Sequence, residues 1–364
     1  MDLVADMLLS QLDKNHSDKF AVTRVGPPLR RRFSGGQVAQ GSFFNADRFL
    51  NRFWDYPRHA RSRRAEFELF HVVDHSYGQL LRDLPPERSV ITCHDLDTFQ
   101  CLLHPEREPR SFFFRKMMAR TLDGFRRAAR VTCDSEATRA ELLAGNLVEP
   151  ERVVVVPNGV HPACSPEADA QADQEATRLL GEPGNVELLH VGSTIPRKRI
   201  DLLLKIFAAV RKEVPAARLV RVGGPFTREQ EQLISRLELT TSIAVLPPLE
   251  RNVLASVYRR AAVVVLPSER EGFGLPVIEA LACGAPVVAT DLPVLREVGG
   301  EAAVYCPAGD IVSWTEAVVG LLSEREAQPQ ARAVRQLAGL AQASKFTWEE
   351  YANKLVQVYQ TLLN

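Results

Sequence analysis

The sequence has no hydrophobic run that approaches the roughly 18 to 20 residues needed to cross a bilayer, and it has no net charge. Its 45 Lys and Arg residues balance 45 Asp and Glu residues, whereas a general nucleic-acid-binding protein normally has a clear basic excess. The N-terminal stretch MDLVADMLLSQLDKNH has neither a basic leader nor a cleavage site of the kind found in signal peptides. These absences predict a cytoplasmic protein that binds no nucleic acid.

Cysteine is scarce, and glycine forms no dinucleotide-binding motif. No two cysteines are spaced as CxxC, so we expect reduced, packed thiols rather than disulfides or a zinc site. The six cysteines are Cys93, Cys101, Cys133, Cys164, Cys283 and Cys306. No G-x-G-x-x-G sequence follows a predicted strand, which argues against a nicotinamide-dependent dehydrogenase.

Short β-branched segments alternate with amphipathic segments, which predicts an α/β fold with parallel sheets. A length of 364 residues is typical of two domains. In the second half the alternation is regular and predicts a doubly wound sheet, whose ligands bind at the carboxyl ends of the strands. The predicted strands there are 186–191, 219–222, 242–246, 262–266 and 286–289, and the predicted helices are 200–212, 227–239, 252–260 and one that starts near Pro276.

The first half is less regular. Residues 3–13 are predicted to form the first helix, and no strand precedes them, so either the fold begins unusually or the start codon lies upstream. Between the first two strands we expect a loop-and-helix region that contains Gly35, Gly36 and Gly41. The predicted strands are 20–25, 69–73, 89–93, 130–133 and 153–156. Residues 157–185 contain no convincing strand, and we expect one helix at 168–180.

The segment PSEREGFGLPVIEALACGAP, residues 267–286, carries the strongest chemical signal. Glu271 and Glu279 are eight residues apart, and between them lie two glycines and Pro276, which suits a first helical turn. A strand, a glycine-rich turn and a helix N-terminus present free N–H groups and a positive dipole end, which suits a phosphate. The two carboxylates can then hold two hydroxyl-bearing parts of one ligand.

Two cations follow the first strand of the second half. Arg197 and Lys198 lie just before a predicted helix, where basic residues oppose the helix dipole. A guanidinium gives phosphate a two-pronged hydrogen bond and an ammonium gives it a point charge. We therefore expect this pair to stabilise the charge of a leaving nucleoside diphosphate.

The sequence EGFGLPVIEALACGAPVVAT resembles the E-x7-E signature of retaining glycosyltransferases of family 4, which have the GT-B fold. Other segments that resemble the family in order and spacing are HVGSTIPRKRIDLLL, VGGP, VVVVPNGV, CHDL and VTCDSEATRAEL. The resemblance covers nearly the whole chain beyond residue 70. It implies two Rossmann-like doubly wound domains that face a central cleft.

The resemblance also implies domain boundaries. An N-terminal, acceptor-side domain would span residues 1–160 and lack its first strand. A linker would follow at 161–185, and a nucleotide-sugar-binding domain at 186–340. Residues 341–364 would form a C-terminal helix that packs back on the N-terminal domain.

The resemblance implies roles for individual donor-site residues. Glu271 would bind hydroxyl groups of the donor sugar, and Glu279 the ribose of the nucleotide. Lys198 would contact the diphosphate together with an arginine. Many members have that arginine directly after the first strand's glycine, where this chain has Ser193, so Arg197 is the substitute. The remaining implied donor contacts are the backbone amides of Phe273, Gly274 and Leu275, and the residues Gly192, Ser193 and Gly223.

In the N-terminal half, the resemblance implies that His94 lies near the transferred sugar and helps to position it. The expected reaction is the transfer of a hexose, with a preference for mannose, from a nucleotide sugar to a hydroxyl acceptor in envelope glycan biosynthesis; UDP-sugars stay open. The family reacts on one face of the sugar, where the leaving phosphate accepts the acceptor's proton. No cofactor and no metal are expected.

Two other classes of function stay open at this point. One is a non-catalytic GT-B module that binds a nucleotide or a glycan, or that supports a partner enzyme. The other is a sugar phosphorylase on the same fold, which would use inorganic phosphate.

The zero net charge conceals a basic N-terminal half. Residues 30–64 contain nine arginines against two acids, and Phe43, Phe44, Phe49, Phe53 and Trp54 are interleaved with them. Residues 102–130 contain eight basic residues against three acids. One hypothesis is that this surface contacts anionic lipid headgroups at the inner face of the membrane, or a glycan or lipid-linked acceptor that bears phosphate. The alternative is a solvated charged face with ordinary core aromatics.

Overall fold

The structure is a computed structural model that describes residues 2–34, 42–182 and 186–364. The chain divides into two compact units. The first comprises Met1–Asn158 and Trp348–Asn364, and the second comprises Gly159–Thr347. The predicted glycine-containing loop at residues 35, 36 and 41, and residues 183–185 of the predicted linker, lie outside the described residues.

Each unit contains one parallel sheet. In the first unit the order is β1-β2-β3-β4, formed by Phe70–Val72 (β1), Ser89–Cys93 (β2), Arg130–Cys133 (β3) and Val153–Val155 (β4). In the second unit the order is β10-β9-β8-β5-β6-β7, formed by Val186–Val191 (β5), Ala217–Val222 (β6), Ile243–Leu246 (β7), Val263–Leu266 (β8), Val287–Thr290 (β9) and Val304–Cys306 (β10). The second order is doubly wound, as predicted, because β5 and β8 are adjacent at its centre.

Helices connect the strands. Those of the first unit are Asp2–His16 (α1), Ser42–Leu50 (α2), Tyr56–Ser62 (α3), Gln100–Leu103 (α4), Phe112–Phe125 (α5), Glu136–Ala144 (α6) and Trp348–Leu363 (α15). Those of the second unit are Ala170–Leu180 (α7), Ile200–Glu213 (α8), Arg228–Arg236 (α9), Arg251–Arg260 (α10), Leu275–Ala282 (α11), Pro293–Gly299 (α12), Ile311–Ala327 (α13) and Pro329–Ala343 (α14). A π-helical turn, Asn51–Asp55, joins α2 to α3. Short 3₁₀ segments are His75–Arg82, Pro86–Arg88, Asp97–Phe99, Pro150–Arg152, Pro196–Lys198, Thr240–Ser242 and Gly300–Ala302.

The central strands form because their residues are apolar on both faces. All residues of β2, β8 and β9 are buried, as expected for parallel strands that are covered on both sides. In the second unit, α8 and α13 contribute Phe207 and Trp314 to the core. In the first unit, α1 and α15 pack on each other and bury Leu8 and Tyr351.

The predicted strand at residues 20–25 is wrong, because the structure has no regular secondary structure there. Phe20 packs against the cluster formed by α1 and α15, but Val22 and Val25 are exposed. Although apolar and polar residues alternate in this segment, its apolar side chains do not pack together against a sheet. Instead, Arg24 forms an ion pair with Asp6 of α1 at 2.6 Å, and this contact holds the segment beside that helix.

Residues 161–182, predicted as part of the linker, lie in the second unit. Helix α7 in this segment packs against α10. Asp173 accepts hydrogen bonds from Ser256 at 2.5 Å and from Arg259 at 2.6 Å. These contacts make the segment part of that unit's structure.

Strand register decides which loops meet at the carboxyl edge of the second sheet. Val191 of β5 lies opposite Val222 of β6, so the glycines that follow, Gly192 and Gly223, come into contact. Gly223 has φ +135°, and a Cβ atom at that position would lie 2.0 Å from the carbonyl oxygen of Gly192. Only glycine fits this approach.

We therefore expect Gly223→Ala to lower the free energy of unfolding by about 3 kcal/mol, because the backbone would have to move. Gly224→Ala is the matched control: φ is +95° and no atom lies within 4 Å of the added Cβ, so the expected cost is about 1 kcal/mol. Chemical denaturation measures both values. Equal losses in the two variants would contradict the close contact at Gly223.

Candidate functional site

Three charged side chains of the second unit form one cluster. Lys198 Nζ donates a hydrogen bond to Glu271 Oε1 at 2.6 Å, and Arg197 Nη1 donates to Glu271 Oε2 at 3.0 Å. Their loops follow β5 and β8, which pair in parallel with Leu189 opposite Val264. The structure therefore brings together three of the residues that the sequence predicted to act together.

The two loops are also joined through their backbones. The amide of Glu269 donates to the carbonyl of Arg197, and Arg197 Nη1 donates to the carbonyl of Arg270, each at 2.8 Å. The side chains of Lys198 and Glu271 are largely buried, with exposed fractions of 11% and 6%. Two cations share one carboxylate, which leaves a net charge of +1 in this three-residue cluster and makes it attractive to an anion.

The turn between the two predicted acids presents backbone donors. Gly274 precedes α11 with φ +98°, and a Cβ atom there would lie 2.6 Å from Leu295 Cδ2. The N–H groups of Phe273, Gly274 and Leu275 donate to no backbone carbonyl within the described ranges. Together with the N-terminus of α11, this turn is suited to bind a phosphate.

Glu279 lies one turn into α11 and is 3% exposed. Its Oε2 accepts a hydrogen bond from the Tyr258 hydroxyl at 3.0 Å, and its Oε1 lies 3.4 Å from Arg251 Nη1. Burial raises the pKa of Glu279, and Arg251 and Tyr258 offset this only in part. Its recorded partners thus belong to α10, and none of them is Arg197, Lys198 or Glu271.

Gly192, which follows β5, contacts buried polar side chains. The amide of Gly192 donates to the carbonyl of Val222 at 2.9 Å, and its own carbonyl accepts from the buried Arg221 at 3.1 Å. Ser193 is exposed. His190 is fully buried, and neither ring nitrogen has a hydrogen-bond partner among the described residues.

Burial, with the nearby charges of Arg221 and Lys198, lowers the pKa of His190 to about 3, so its imidazole is neutral. Two unpartnered ring nitrogens are unusual in a protein interior. They lie beneath Gly192, since a Cβ atom on that glycine would lie 3.2 Å from the His190 ring.

In the first unit, His94 is held from both sides of its ring. Cys93 of β2 lies opposite Cys133 of β3, so the next residues, His94 and Asp134, are neighbours. His94 Nδ1 lies 2.7 Å from Asp134 Oδ2, and its Nε2 lies 2.8 Å from the carbonyl oxygen of Val73. Because both partners can only accept hydrogen bonds, both nitrogens carry protons and the ring is an imidazolium.

The charges around His94 agree with this geometry. Burial alone would lower the pKa of His94, but the Asp134 carboxylate outweighs burial and raises the pKa to about 9. The backbone N–H of His94 donates to His75 Nδ1 at 3.3 Å. Burial lowers the pKa of His75, although Asp95 lies 3.6 Å from its Nε2. One histidine is therefore charged and its neighbour is neutral.

Sequence reasoning missed the partners Asp134, Arg221, Arg251 and Tyr258. Asp134 directly follows a strand, as His94 does, and that shared position was a usable signal. Arg251 begins α10 in the loop region after the carboxyl end of β7, and this position was a usable signal of the same kind. Within the described part of the chain, no group of three or more His, Cys, Asp or Glu side chains is placed to hold a metal ion.

Two sequence families match the chain. One, described as Glycosyltransferase Family 4, matches residues 4–163, and the other, described as Glycosyl transferases group 1, matches residues 185–324. The fold is GT-B, as the sequence resemblance implied. The chain belongs to glycosyltransferase family 4.

The chain is similar to several named proteins of this class. It is 34% identical over 256 residues to D-inositol 3-phosphate glycosyltransferase of Kineococcus radiotolerans, which covers 64% of this chain and 57% of the relative. The chain thus spans little more than half the length of that relative. It is 28% identical to O-antigen chain mannosyltransferase B of Escherichia coli, over 76% of this chain and 71% of the relative.

Solved structures share the fold at low sequence identity. WaaG, a glycosyltransferase involved in lipopolysaccharide biosynthesis, has a TM-score of 0.71 and 15% identity, over 98% of this chain and 95% of its own. Anabaena HepE in complex with UDP-glucose has a TM-score of 0.68 and 18% identity, over 84% of this chain and 82% of its own.

The His94–Asp134 pair predicts a pH dependence of stability. Because the pKa of His94 rises from 6.5 in the unfolded chain to about 9 in the folded one, the stabilisation is fully present below pH 6.5 and is lost as the pH rises through 9. We expect a loss of about 3 kcal/mol for this shift.

The measurement is chemical denaturation of the wild type and of Asp134→Asn between pH 6 and pH 10. The variant should be less stable at pH 6 and should lack this pH-dependent loss. If the two proteins show the same slope between pH 7 and pH 9, Asp134 does not hold the imidazolium.

Proposed function

We propose that this chain is a retaining glycosyltransferase that moves a hexose from a nucleoside diphosphate sugar to a hydroxyl acceptor. The observation that carries the proposal is the cluster of Arg197, Lys198 and Glu271. In this cluster, a carboxylate that can bind sugar hydroxyl groups lies beside two cations that can bind phosphate. In a nucleotide sugar, the sugar and the diphosphate are bonded directly to each other, so the groups that bind them must also be neighbours.

The surrounding groups fit the rest of the donor. The diphosphate accepts hydrogen bonds from the N–H groups of the turn before α11. It also binds Lys198 and Arg197, which contact Glu271 as well. The buried Glu279 accepts a hydrogen bond from a ribose hydroxyl. Gly192, Ser193 and Gly223 line the donor at the ends of β5 and β6, where a side chain at Gly223 would meet backbone.

In the proposed reaction, the bond from the sugar's anomeric carbon to the diphosphate oxygen breaks. The bond to the acceptor oxygen forms on the same face, and the acceptor's proton passes to the leaving phosphate. No protein nucleophile, metal or cofactor takes part. The protein contributes orientation of the reactants and stabilisation of the charge that develops on the diphosphate.

His94 acts in this proposal as a fixed positive charge next to the transferred sugar. Since Asp134 and the Val73 carbonyl occupy its ring nitrogens, the ring is neither a general base nor a nucleophile. Its role is to orient the sugar through charge and shape.

The names of the similar proteins support an envelope glycan or lipid-linked acceptor, because they include an O-antigen mannosyltransferase and a glycosyltransferase of lipopolysaccharide biosynthesis. The mannosyltransferase favours mannose as the transferred sugar, whereas the HepE complex contains UDP-glucose. Thermal-shift screening of GDP- and UDP-sugars decides between them, since a bound ligand raises stability by mass action.

Two substitutions separate the roles of the cluster. Lys198→Ala should weaken binding of the nucleoside diphosphate and reduce kcat/KM by about 10- to 100-fold, because it removes a charge-assisted contact. Glu271→Gln should reduce kcat/KM at least as much but leave nucleoside diphosphate binding equal or tighter, because the cations lose their competing carboxylate.

Calorimetric titration with GDP and UDP, together with a transfer assay, measures both effects. Glu269→Gln is the matched control, because Glu269 is exposed and lies two residues from Glu271. It should retain binding and turnover. Wild-type turnover in both Lys198→Ala and Glu271→Gln would remove the donor-site assignment.

We also infer a peripheral contact with anionic membrane at the inner face of a bilayer. No helix in the described ranges is long and apolar enough to span a membrane. At the start of α5, however, Phe112 and Phe113 are 75% and 82% exposed, next to Arg110, Arg115 and Lys116. Exposed aromatic rings flanked by cations are typical of contact with anionic lipid headgroups.

Co-sedimentation with vesicles tests this contact. The wild type should bind vesicles that contain phosphatidylglycerol and should bind pure phosphatidylcholine vesicles weakly. Phe113→Ser should weaken binding about tenfold, because a buried phenylalanine contributes roughly 1.5 to 3 kcal/mol. Leu337→Ser, at a 66% exposed position on α14, is the control and should have no effect. Equal sedimentation with both lipids would contradict the contact.

A further inference from the structure

Arg221 is a cation in the interior of the second unit. It is the last residue but one of β6, and its side chain is fully buried. Leu219, two residues earlier on the same strand, belongs to the apolar core that α8 and α13 cover. Because residues two apart in a strand point to the same face, the Arg221 side chain lies on that apolar face. A fully buried arginine is rare unless an acid pairs with it.

The recorded contacts of this guanidinium are with neutral groups. Its Nη1 donates to the carbonyl of Gly224 and its Nη2 to the carbonyl of Gly192, the second at 3.1 Å. Its central carbon lies 4.9 Å from the centre of the Phe226 ring. No ion pair joins Arg221 to a carboxylate within the part of the chain that the structure describes, and its buried Nε has no hydrogen-bond partner there. Burial lowers the pKa of Arg221, but an arginine keeps its proton in proteins.

The neighbouring strands supply no negative charge opposite Arg221. His190 of β5 and Val245 of β7 are its register partners. The His190 imidazole is neutral, because burial, together with the charges of Arg221 and Lys198, lowers its pKa to about 3. A buried cation among neutral neighbours is costly unless an anion comes close to it.

The hydrogen bond to Gly192 fixes the direction of a backbone donor. In a planar trans peptide the C=O and N–H groups point in opposite directions, and no peptide bond in the described ranges is cis. Because the Gly192 carbonyl points inward to Arg221, the N–H of Ser193 points away from the guanidinium, and Ser193 is exposed. This N–H has no recorded acceptor among the described residues. Arg221 therefore turns a backbone donor outward at the carboxyl edge of the sheet.

The same glycine lies beside the cluster that contains Lys198. A Cβ atom on Gly192 would lie 3.7 Å from Lys198 Cδ and 3.2 Å from the His190 ring. Both Lys198 and Arg221 contribute to the low pKa of His190, so both cations are within electrostatic range of that ring. Arg221 thus adds a second unbalanced positive charge next to the net positive cluster, from a position where little water screens it.

We propose that Arg221 is a positioning residue for the donor diphosphate: it turns the Ser193 N–H towards the diphosphate, and its buried charge stabilises the diphosphate from beneath the glycine turn. The inference rests on the proposed function, because it takes the donor to be a nucleoside diphosphate sugar. Arg221 stays in the interior and touches no substrate. The diphosphate supplies the negative charge that the protein neighbours of Arg221 lack, and a charge fixed in advance stabilises the leaving group without reorganisation.

The test compares charged with uncharged ligands on the full chain. Calorimetry measures binding of UDP, GDP and inorganic pyrophosphate, and ligand-detected NMR measures binding of uridine and guanosine. Arg221→Met should weaken binding of UDP and GDP about tenfold, as expected for the loss of one favourable charge interaction. It should change nucleoside binding less than about twofold, since a nucleoside has no phosphate. Arg221→Lys keeps the charge and should stay within about threefold of the wild type for UDP and GDP.

Two further variants serve as controls. Arg218→Met removes the same charge from the same strand, three residues towards its amino end, where Arg218 Nη1 donates to the carbonyl of Leu180 at 2.7 Å. It should bind UDP and GDP as the wild type does. Arg221→Gln protects the test against misfolding, because its amide can still donate to one of the two glycine carbonyls but carries no charge. It should weaken binding of UDP and GDP as Arg221→Met does.

The inference is overturned if the neutral variants bind UDP and GDP as the wild type does, or if Arg221→Lys binds them as weakly as Arg221→Gln. Equal losses for diphosphates and nucleosides also overturn it, because a residue that only holds the two glycine turns together would affect both kinds of ligand.

A donor hydrolysis and transfer assay on the same samples separates this result from a failure of the proposed function. If the wild type binds UDP or GDP and uses a nucleotide sugar, but Arg221 has no effect on either, only the role of Arg221 fails. If diphosphate or pyrophosphate binding depends on Arg221 and no nucleotide sugar is consumed, the role of Arg221 stands and the glycosyltransferase proposal fails. If neither the nucleotides nor pyrophosphate bind to the wild type, both fail.

Discussion

The register of parallel strands is the constraint on which both groups of polar side chains depend. In the first sheet, Cys93 opposite Cys133 places the next residues, His94 and Asp134, side by side. In the second sheet, the pairing of β5 with β8 brings the loops of Lys198 and Glu271 together. A slip of one residue in either pair would turn alternate side chains to the opposite face. The chemistry at these edges is therefore specified by apolar residues inside the sheets.

The same apolar residues explain why much of the fold could be predicted from sequence. The bounds of β2, β3 and β5 agree with the predicted strands, because each is a short segment that contains β-branched residues and is mostly buried in the sheet. The segment around Glu271 and Glu279 was also readable, since its strand, glycine turn and proline-initiated helix are determined by local sequence. Where local signals decided the structure, the sequence was sufficient.

Prediction failed where the outcome depends on distant parts of the chain. Residues 20–25 alternate like a strand, but alternation cannot show whether a neighbouring strand exists to receive them. The bond of Tyr258 to Glu279 joins two helices, and the pairing of His94 with Asp134 spans forty positions. The π-helical turn at Asn51–Asp55 depends on hydrogen bonds to Arg30, more than twenty residues away. The contacts of Tyr258 with Glu279 and of Asn51 with Arg30 have no local sequence signature. The pairing of His94 with Asp134 is signalled only by the position of both residues directly after a strand.

The two acids at the carboxyl edge of the second sheet differ in how completely cations balance their charge. Glu271 has two cationic partners, whereas Glu279 is buried with a hydroxyl and one more distant guanidinium. Such imbalance reduces stability, and natural proteins tolerate it chiefly where a ligand compensates it. A simple anion would satisfy only the cations, and a neutral sugar only the carboxylates. Molecules that carry phosphate and hydroxyl groups together satisfy both.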